Sequence, residues 1–187
     1  MKFYLATLVA SASAIDYETW ANGPTFSLTY DAAKMMMKLT SKVPENTWLG
    51  LRLGDGMYGV DMVVMQGKDN GIMRDLWSTT FGQPKADATD DWKEKAISKD
   101  GTMYSFAGYR SLSTGDATED TVLECGKDYE FYWSGNDMTA EFTKHTKRDE
   151  IMVTFNADCS MSTTESSAMT TMFNGLLAAS ALVFMTI

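Results

Sequence analysis

The most informative residue for chemistry in this chain of 187 residues is its single histidine, His145. A copper monooxygenase centre or a multi-histidine zinc site needs several imidazoles, so the sequence excludes both. A Ser-His-Asp enzyme needs only one, but no serine or cysteine here has an evident base. One histidine is enough to occupy one axial position of a haem iron, with a methionine opposite. Met57, between Gly56 and Gly59, is the candidate for that methionine.

The same two residues also fit ordinary structural roles. His145 lies among Lys144, Lys147 and Arg148, and such runs are typical of a solvated surface. Met57 is one of 15 methionines, and a methionine in a glycine-rich turn often only fills space. Residue type alone therefore leaves both interpretations open.

The middle of the chain alternates between apolar and polar residues with a period of two. Short runs of this kind are separated by turn sequences, and a period of two is typical of half-buried strands. The runs are Phe26-Leu28-Tyr30, Met35-Met37-Leu39, Leu49-Leu51-Leu53, Val60-Met62-Val64, Tyr104-Phe106, Tyr129-Phe131-Trp133 and Ile151-Val153-Phe155. No long segment shows a helical stripe. The pattern predicts an all-β fold, an immunoglobulin-like antiparallel β-sandwich.

The two ends of the chain predict targeting to the cell surface. Residues 1–14 have an early lysine, an apolar run and a small-residue ending, which indicates a secretory signal peptide. The β-sandwich is then expected over residues 15–159. A Ser/Thr-rich spacer follows at 160–171, and a hydrophobic tail at 172–187 is typical of a GPI-attachment signal. A membrane-spanning or tail anchor is the alternative for this C-terminal segment.

Charge and cysteine usage agree with an extracellular protein. The formal net charge of −9 disfavours binding to nucleic acid. The only cysteines, Cys125 and Cys159, predict a disulfide. If the last two strands pair antiparallel with Trp133 opposite Ile151, the same register places the two cysteines opposite each other. Two unrelated free thiols remain the alternative.

Four short motifs occur between about residue 20 and residue 155. They are the W-x-G run at Trp48–Gly50, the G-M-x-G-x-D run at Gly56–Asp61, the R-x-L-x-T-x-D run at Arg110–Asp116, and the late histidine. Their order resembles the DOMON domain family. The histidine departs from the family pattern, because threonines and lysines flank it instead of an aromatic residue and a glycine.

The resemblance implies a haem-binding sandwich. In haem-binding members the iron is held by the methionine of the G-M-x-G run and by the late histidine, which here are Met57 and His145. The implied cofactor is haem b. Residues expected to line its pocket are Met62, Met65, Phe106, Tyr109 and Trp133. Residues expected to pair with the propionates are Lys144, Lys147 and Arg148.

Two further polar groups have structural interpretations that we favour over functional ones. Arg110 and Asp116 could form a functional pair, but a strand-end arginine and a turn aspartate are more often structural. Asp87, Asp90 and Asp91 lack the spacing of an EF-hand calcium loop, which favours a solvated acidic loop.

The sequence thus predicts a cell-surface domain that transfers single electrons and is not itself an enzyme, because it has no flavin or nicotinamide motif. Its expected partner is a redox protein or a small redox molecule, with the membrane reached through the C-terminal anchor. A haem-free module that binds a sugar or another ligand is the alternative, as is a coat or adhesion protein.

Overall fold

The computed structural model describes residues 14–54, 59–78, 83–116 and 118–163, all of whose regular structure is strand. The strands are β1 (Ile15–Glu18), β2 (Thr25–Asp31), β3 (Met36–Pro44), β4 (Trp48–Leu53), β5 (Val60–Gln66), β6 (Ile72–Ser78), β7 (Lys85–Ala86), β8 (Lys93–Asp100), β9 (Met103–Ser111), β10 (Lys127–Asn136), β11 (Lys147–Phe155) and β12 (Met161–Thr163). Within these ranges the chain has no helix with the length and apolar character that crossing a membrane requires.

The strands form two antiparallel sheets that pack face to face. One has five strands in the order β1-β2-β3-β9-β8, and the other has seven in the order β12-β11-β10-β4-β5-β6-β7. Alternate side chains from both sheets meet in one apolar core. The core includes Leu28, Leu39, Leu49, Leu51, Val63, Met65, Phe106, Phe131, Trp133 and Val153. The predicted all-β antiparallel sandwich is confirmed.

The predicted disulfide between Cys125 and Cys159 is present, with a Cα–Cα distance of 4.7 Å. The register used to predict it was wrong, because Ile151 lies opposite Phe131 and not opposite Trp133. A shift of two residues leaves every side chain on its original face, so the assignment of inner and outer residues is unaffected. A turn takes up the difference, in which the Cys159 amide donates to the carbonyl of Asn156 at 2.8 Å.

The sandwich extends past the boundary predicted at residue 159. Strand β12 pairs with β11, and Met161 is completely buried. The first residues of the predicted Ser/Thr-rich spacer are therefore part of the fold, because Met161 alternates with hydroxyl residues that face solvent. Residues 1–13 and 164–187, which include most of the predicted signal peptide and the whole tail, lie outside the described residues.

Candidate functional site

The outer face of the seven-stranded sheet carries the floor of a large cavity. Its centre is formed by β10, β4 and β5, whose paired residues project on the same side of the sheet. Three cross-strand rows lie on this face: Tyr132-Arg52-Met62, Ser134-Gly50-Val64 and Asn136-Trp48-Gln66. The residues of these rows that line the cavity are Trp48, Arg52, Met62, Tyr132 and Ser134. Trp48, Val64 and Leu76 form a small apolar cluster there that is separate from the main core.

The loop of residues 137–146, which joins β10 to β11, folds against this floor. Phe142 meets Trp48 edge to face, with the two ring centroids 4.9 Å apart. The side-chain amide of Gln66 donates a hydrogen bond to the carbonyl of Ala140 at 2.5 Å. The loop is therefore attached to the sheet both by apolar packing and by a buried hydrogen bond.

Asn136 holds the part of the loop that carries His145. Its Nδ2 donates to the carbonyl of Lys144 at 2.9 Å, and its Oδ1 accepts from the amide of Met138 at 2.8 Å. The amide of Thr146 also donates to the carbonyl of Gly135 at 2.9 Å. His145 therefore lies between two residues whose backbones are both bonded to the end of β10.

The sheet and the loop enclose a cavity of about 1020 Å³. Its lining includes Trp48, Arg52, Val60, Met62, Tyr132, Trp133, Ser134, Phe142, Lys144, His145, Arg148, Asp149 and Glu150. Known small-molecule and cofactor pockets occupy about 300–1,000 Å³ and are mostly apolar with a few polar groups. The cavity is therefore large enough for a cofactor.

His145 is half-buried in the wall of this cavity. Burial lowers the pKa of its imidazole below 6.5, and the positive charges of Arg148 and Lys144 lower this pKa further. Neither ring nitrogen has a hydrogen-bond partner among the residues that the structure describes. The imidazole is thus neutral near pH 7, the form in which a histidine nitrogen binds a metal ion.

Charged groups of both signs surround the apolar floor. Arg52, Lys144 and Arg148 supply positive charge, while Asp149 and Glu150 supply negative charge. The guanidinium of Arg52 lies over the ring of Tyr132, 3.8 Å from its centroid. This distribution suits a ligand with an apolar body and anionic or hydroxyl groups at its edge.

The structure brings only some of the predicted site residues together. His145, Met62, Lys144 and Arg148 line the cavity. Trp133 borders it along β10, but its ring points into the core and packs against Trp20. Met57 lies outside the described residues, although Val60, three positions later, lines the cavity.

Four predicted cavity residues lie elsewhere. Met65 and Phe106 are in the core between the sheets, so their assignment to the pocket was wrong. Tyr109 is on the five-stranded sheet beside Lys34, whose ammonium lies 4.7 Å from the ring centroid. Lys147 pairs instead with Asp137 at 3.9 Å.

The sequence analysis missed Trp48, Phe142 and Asn136. Trp48 was part of a motif but was not assigned to the site. Phe142, an isolated apolar residue three positions before His145, was the signal that this loop packs against the sheet.

Arg110 and Asp116 do not pair with each other. Arg110 is completely buried and forms ion pairs with Asp61 and Asp120. Asp116 accepts hydrogen bonds from its own turn, at Thr118 and Glu119, which lower its pKa. Both residues thus have structural roles in this part of the fold.

Comparison with known proteins identifies the family. The DOMON domain model matches residues 24–136, more than half of the chain. No curated protein matches the sequence. Among solved structures, the cytochrome domain of Myriococcum thermophilum cellobiose dehydrogenase is 14% identical with a TM-score of 0.57, and the alignment covers 79% of this chain and 84% of that one.

A second similar structure is the cytochrome b domain of pyranose dehydrogenase from Coprinopsis cinerea. It is 13% identical with a TM-score of 0.52, and the alignment covers 69% of this chain and 75% of that one. At such identities the two structures establish a common fold, while the family is shown by the match over residues 24–136. The chain belongs to the DOMON domain family.

Proposed function

We propose that this protein is a b-type haem domain that transfers single electrons, with His145 as one axial ligand of the iron and Met57 as the other. The observation that carries the proposal is the position of His145. The only imidazole of the chain lies in the wall of the cavity of about 1020 Å³, and burial and two neighbouring cations lower its pKa, which favours the neutral form.

The described residues fit a haem. The floor is apolar around Trp48, Met62 and Val64. Gly50 lies beside two of the lining residues, because an added Cβ there would be 3.5 Å from both Trp48 and Ser134.

The positive charges at the edge of the cavity suit the propionate groups of a haem. Haem is apolar except for two propionate carboxylates, which arginine and lysine side chains bind well. Lys144 and Arg148 flank His145 along the chain and line the cavity with it. We assign them to the propionates.

Met57 is assigned as the second ligand from its place in the sequence. It comes three residues before Val60, which lines the cavity at the start of β5. A haem with thioether and imidazole ligands supplies one-electron exchange without an open site for oxygen. His145 would hold the iron from the cavity wall, and Phe142, packed against Trp48, would shield that side of the pocket from water.

The two similar solved structures support the same function. Their names identify them as the cytochrome domain of one dehydrogenase and the cytochrome b domain of another. A redox protein or a small redox molecule must supply the electrons to this chain, because a DOMON domain of this kind transfers electrons without catalysing a reaction. We further propose that the chain acts at the cell surface, held by its C-terminal segment.

An absorption spectrum of the chain produced with haem available tests the proposal. We expect a Soret band, and sharp α and β bands on reduction, that are lost in His145→Ala and in Met57→Ala. Met138→Ala is the matched control, because Met138 is 76% exposed and lies in the same loop as His145 but outside the cavity lining. A folded protein that stays colourless with excess haem would refute the proposal.

Two carboxylates favour a second candidate function, the binding of a carbohydrate. Asp149 and Glu150 line the cavity, and a haem has no use for them, whereas sugar hydroxyls donate to carboxylates. Phe142, which lines the cavity and is only partly buried, would stack on the sugar ring. Binding on a sugar array that is lost in Phe142→Ala and kept in His145→Ala would support this function. A coat or adhesion role is left if neither ligand binds.

A further inference from the structure

Three aspartates are buried together between the two sheets, on the face of β5 opposite to the cavity. Asp61 is in β5, Asp75 is in β6, and Asp120 is in the connection between β9 and β10. They are 0%, 5% and 6% exposed. One carboxylate oxygen of each lies within 4.8 Å of the corresponding oxygens of the other two.

The hydrogen bonds and ion pairs of these three carboxylates involve only some of their oxygen atoms. Arg110 bonds to Oδ2 of Asp61 and lies 3.3 Å from Oδ1 of Asp120. The amide of Thr121 also donates to Oδ2 of Asp61, at 3.1 Å. The amide of Asp91 donates to Oδ2 of Asp75 at 2.8 Å.

The remaining oxygens are buried without a hydrogen bond. Within the described residues, Oδ1 of Asp61, Oδ1 of Asp75 and both oxygens of Asp120 have no hydrogen-bond partner. A buried polar atom without a partner carries a large desolvation penalty, and a charged one carries more. Each of the three residues therefore offers at least one oxygen that a ligand can use.

The charges of the cluster do not balance either. Three carboxylates face one guanidinium, that of Arg110, which leaves two negative charges. The carboxyl group of Asp91 also lies against Asp120, and it is matched by Lys93 at 3.8 Å.

We propose that Asp61, Asp75 and Asp120 bind one hard divalent cation, with calcium preferred. Two positive charges neutralise the excess of the cluster, and carboxylate oxygens are the ligands that calcium takes. Calcium accepts irregular oxygen geometry, whereas magnesium requires a near-ideal octahedron.

The position of the site gives the cation a structural role. Asp61 and Asp75 belong to the seven-stranded sheet, while Asp120 follows β9 of the five-stranded sheet. A bound cation joins the two sheets at this end of the sandwich. It therefore stabilises the folded state by mass action, since the unfolded chain has no such site.

Calorimetric titration of the chelator-treated full chain with calcium chloride tests the proposal. We expect one saturable site, a rise in Tm with calcium, and at least tenfold weaker binding in Asp75→Asn. The asparagine oxygen still accepts from the Asp91 amide, so the variant loses the charge and keeps the hydrogen bond.

Glu119→Gln is the matched control. Glu119 belongs to a second, more exposed acidic group with Asp87 and Asp116, and its loss should leave calcium binding unchanged. Asp120→Asn is the second variant if Asp75→Asn does not fold. Absence of any calcium effect overturns the proposal, as does unchanged binding in both aspartate variants. Loss of binding in Glu119→Gln alone places the ion at the exposed group, and tighter binding of magnesium overturns the choice of calcium.

Discussion

Replacing Asn136 tests whether the 137–146 loop holds His145 in place. Asn136 is 4% exposed and makes two hydrogen bonds to the loop, one to the carbonyl of Lys144 and one from the amide of Met138. Asn136→Ala removes both. Asn136→Asp keeps the acceptor for Met138 but turns an oxygen, in place of the donor, towards the carbonyl of Lys144.

The size of the effect follows from the two bonds. Each contributes about 1 kcal/mol net to the folded arrangement. Their loss in Asn136→Ala shifts the equilibrium between closed and open loop by about 2 kcal/mol, or roughly 30-fold. Haem affinity is then expected to fall by up to about 30-fold, because the open loop does not present His145 to the cavity. Asn136→Asp should lose at least as much free energy, because a buried carboxylate oxygen then faces the carbonyl oxygen of Lys144.

Proton NMR of the haem-free protein reports whether the loop is closed, because the only histidine gives an isolated imidazole signal whose pKa can be followed. The pKa of His145 is lowered chiefly by burial, so we expect it to rise towards 6.5 in Asn136→Ala. Lys68→Met is the control. It removes an exposed ion pair from Lys68 to Glu141 at 2.7 Å in the same loop, and such pairs contribute little. An unchanged imidazole pKa in Asn136→Ala would show that the loop does not depend on Asn136.

Three further predictions concern stability and the cavity. Cys125→Ser opens a disulfide that spans 34 residues and should cost about 4 kcal/mol, measured by urea unfolding of oxidised wild type against the variant. Without a divalent cation, stability should fall as the pH rises from about 4 to about 7, because folded Asp75, with its raised pKa, keeps a proton that the unfolded chain releases. In Asp75→Asn, the loss of unfolding free energy between these pH values should be smaller by at most about 4 kcal/mol. Urea unfolding at several pH values across this range measures it. Gly50→Val should weaken haem binding at least about tenfold, because its methyl groups push against Trp48 and Ser134, which line the cavity, and the same crowding should lower the free energy of unfolding by about 1–3 kcal/mol. Equal haem affinity in wild type and Gly50→Val would remove Gly50 from the site.

The sequence was sufficient to predict the strands and their faces, but not the alignment of one strand with the next. A period of two is a local property and is read directly from runs such as Leu49-Leu51-Leu53. The register of β10 and β11 depends instead on the turn that ends at Cys159, where φ is 65°. Nothing in the residue types fixes the length of that turn.

The cavity could be predicted in part, and strand geometry explains the error. Met62 and Met65 are three positions apart in one strand, so they cannot lie on the same face. Assigning both to the pocket was therefore inconsistent with the predicted strand. The position of His145 could not be derived this way, because it depends on hydrogen bonds between Asn136 and its loop that have no sequence signature.

Strand β5 connects the two proposed sites, because successive residues at its start face opposite sides of the sheet. Val60 and Met62 line the cavity, while Asp61 between them faces the buried acidic cluster. Charge removal at Asp75 acts on the inner face and leaves the cavity lining intact, and Gly50→Val acts only on the outer face. If calcium binding and haem binding are independent, Asp75→Asn should weaken only calcium binding and Gly50→Val should weaken only haem binding. If Asp75→Asn also weakens haem binding, the cation fixes the start of β5 and, through it, the G-M-x-G-x-D run that carries Met57.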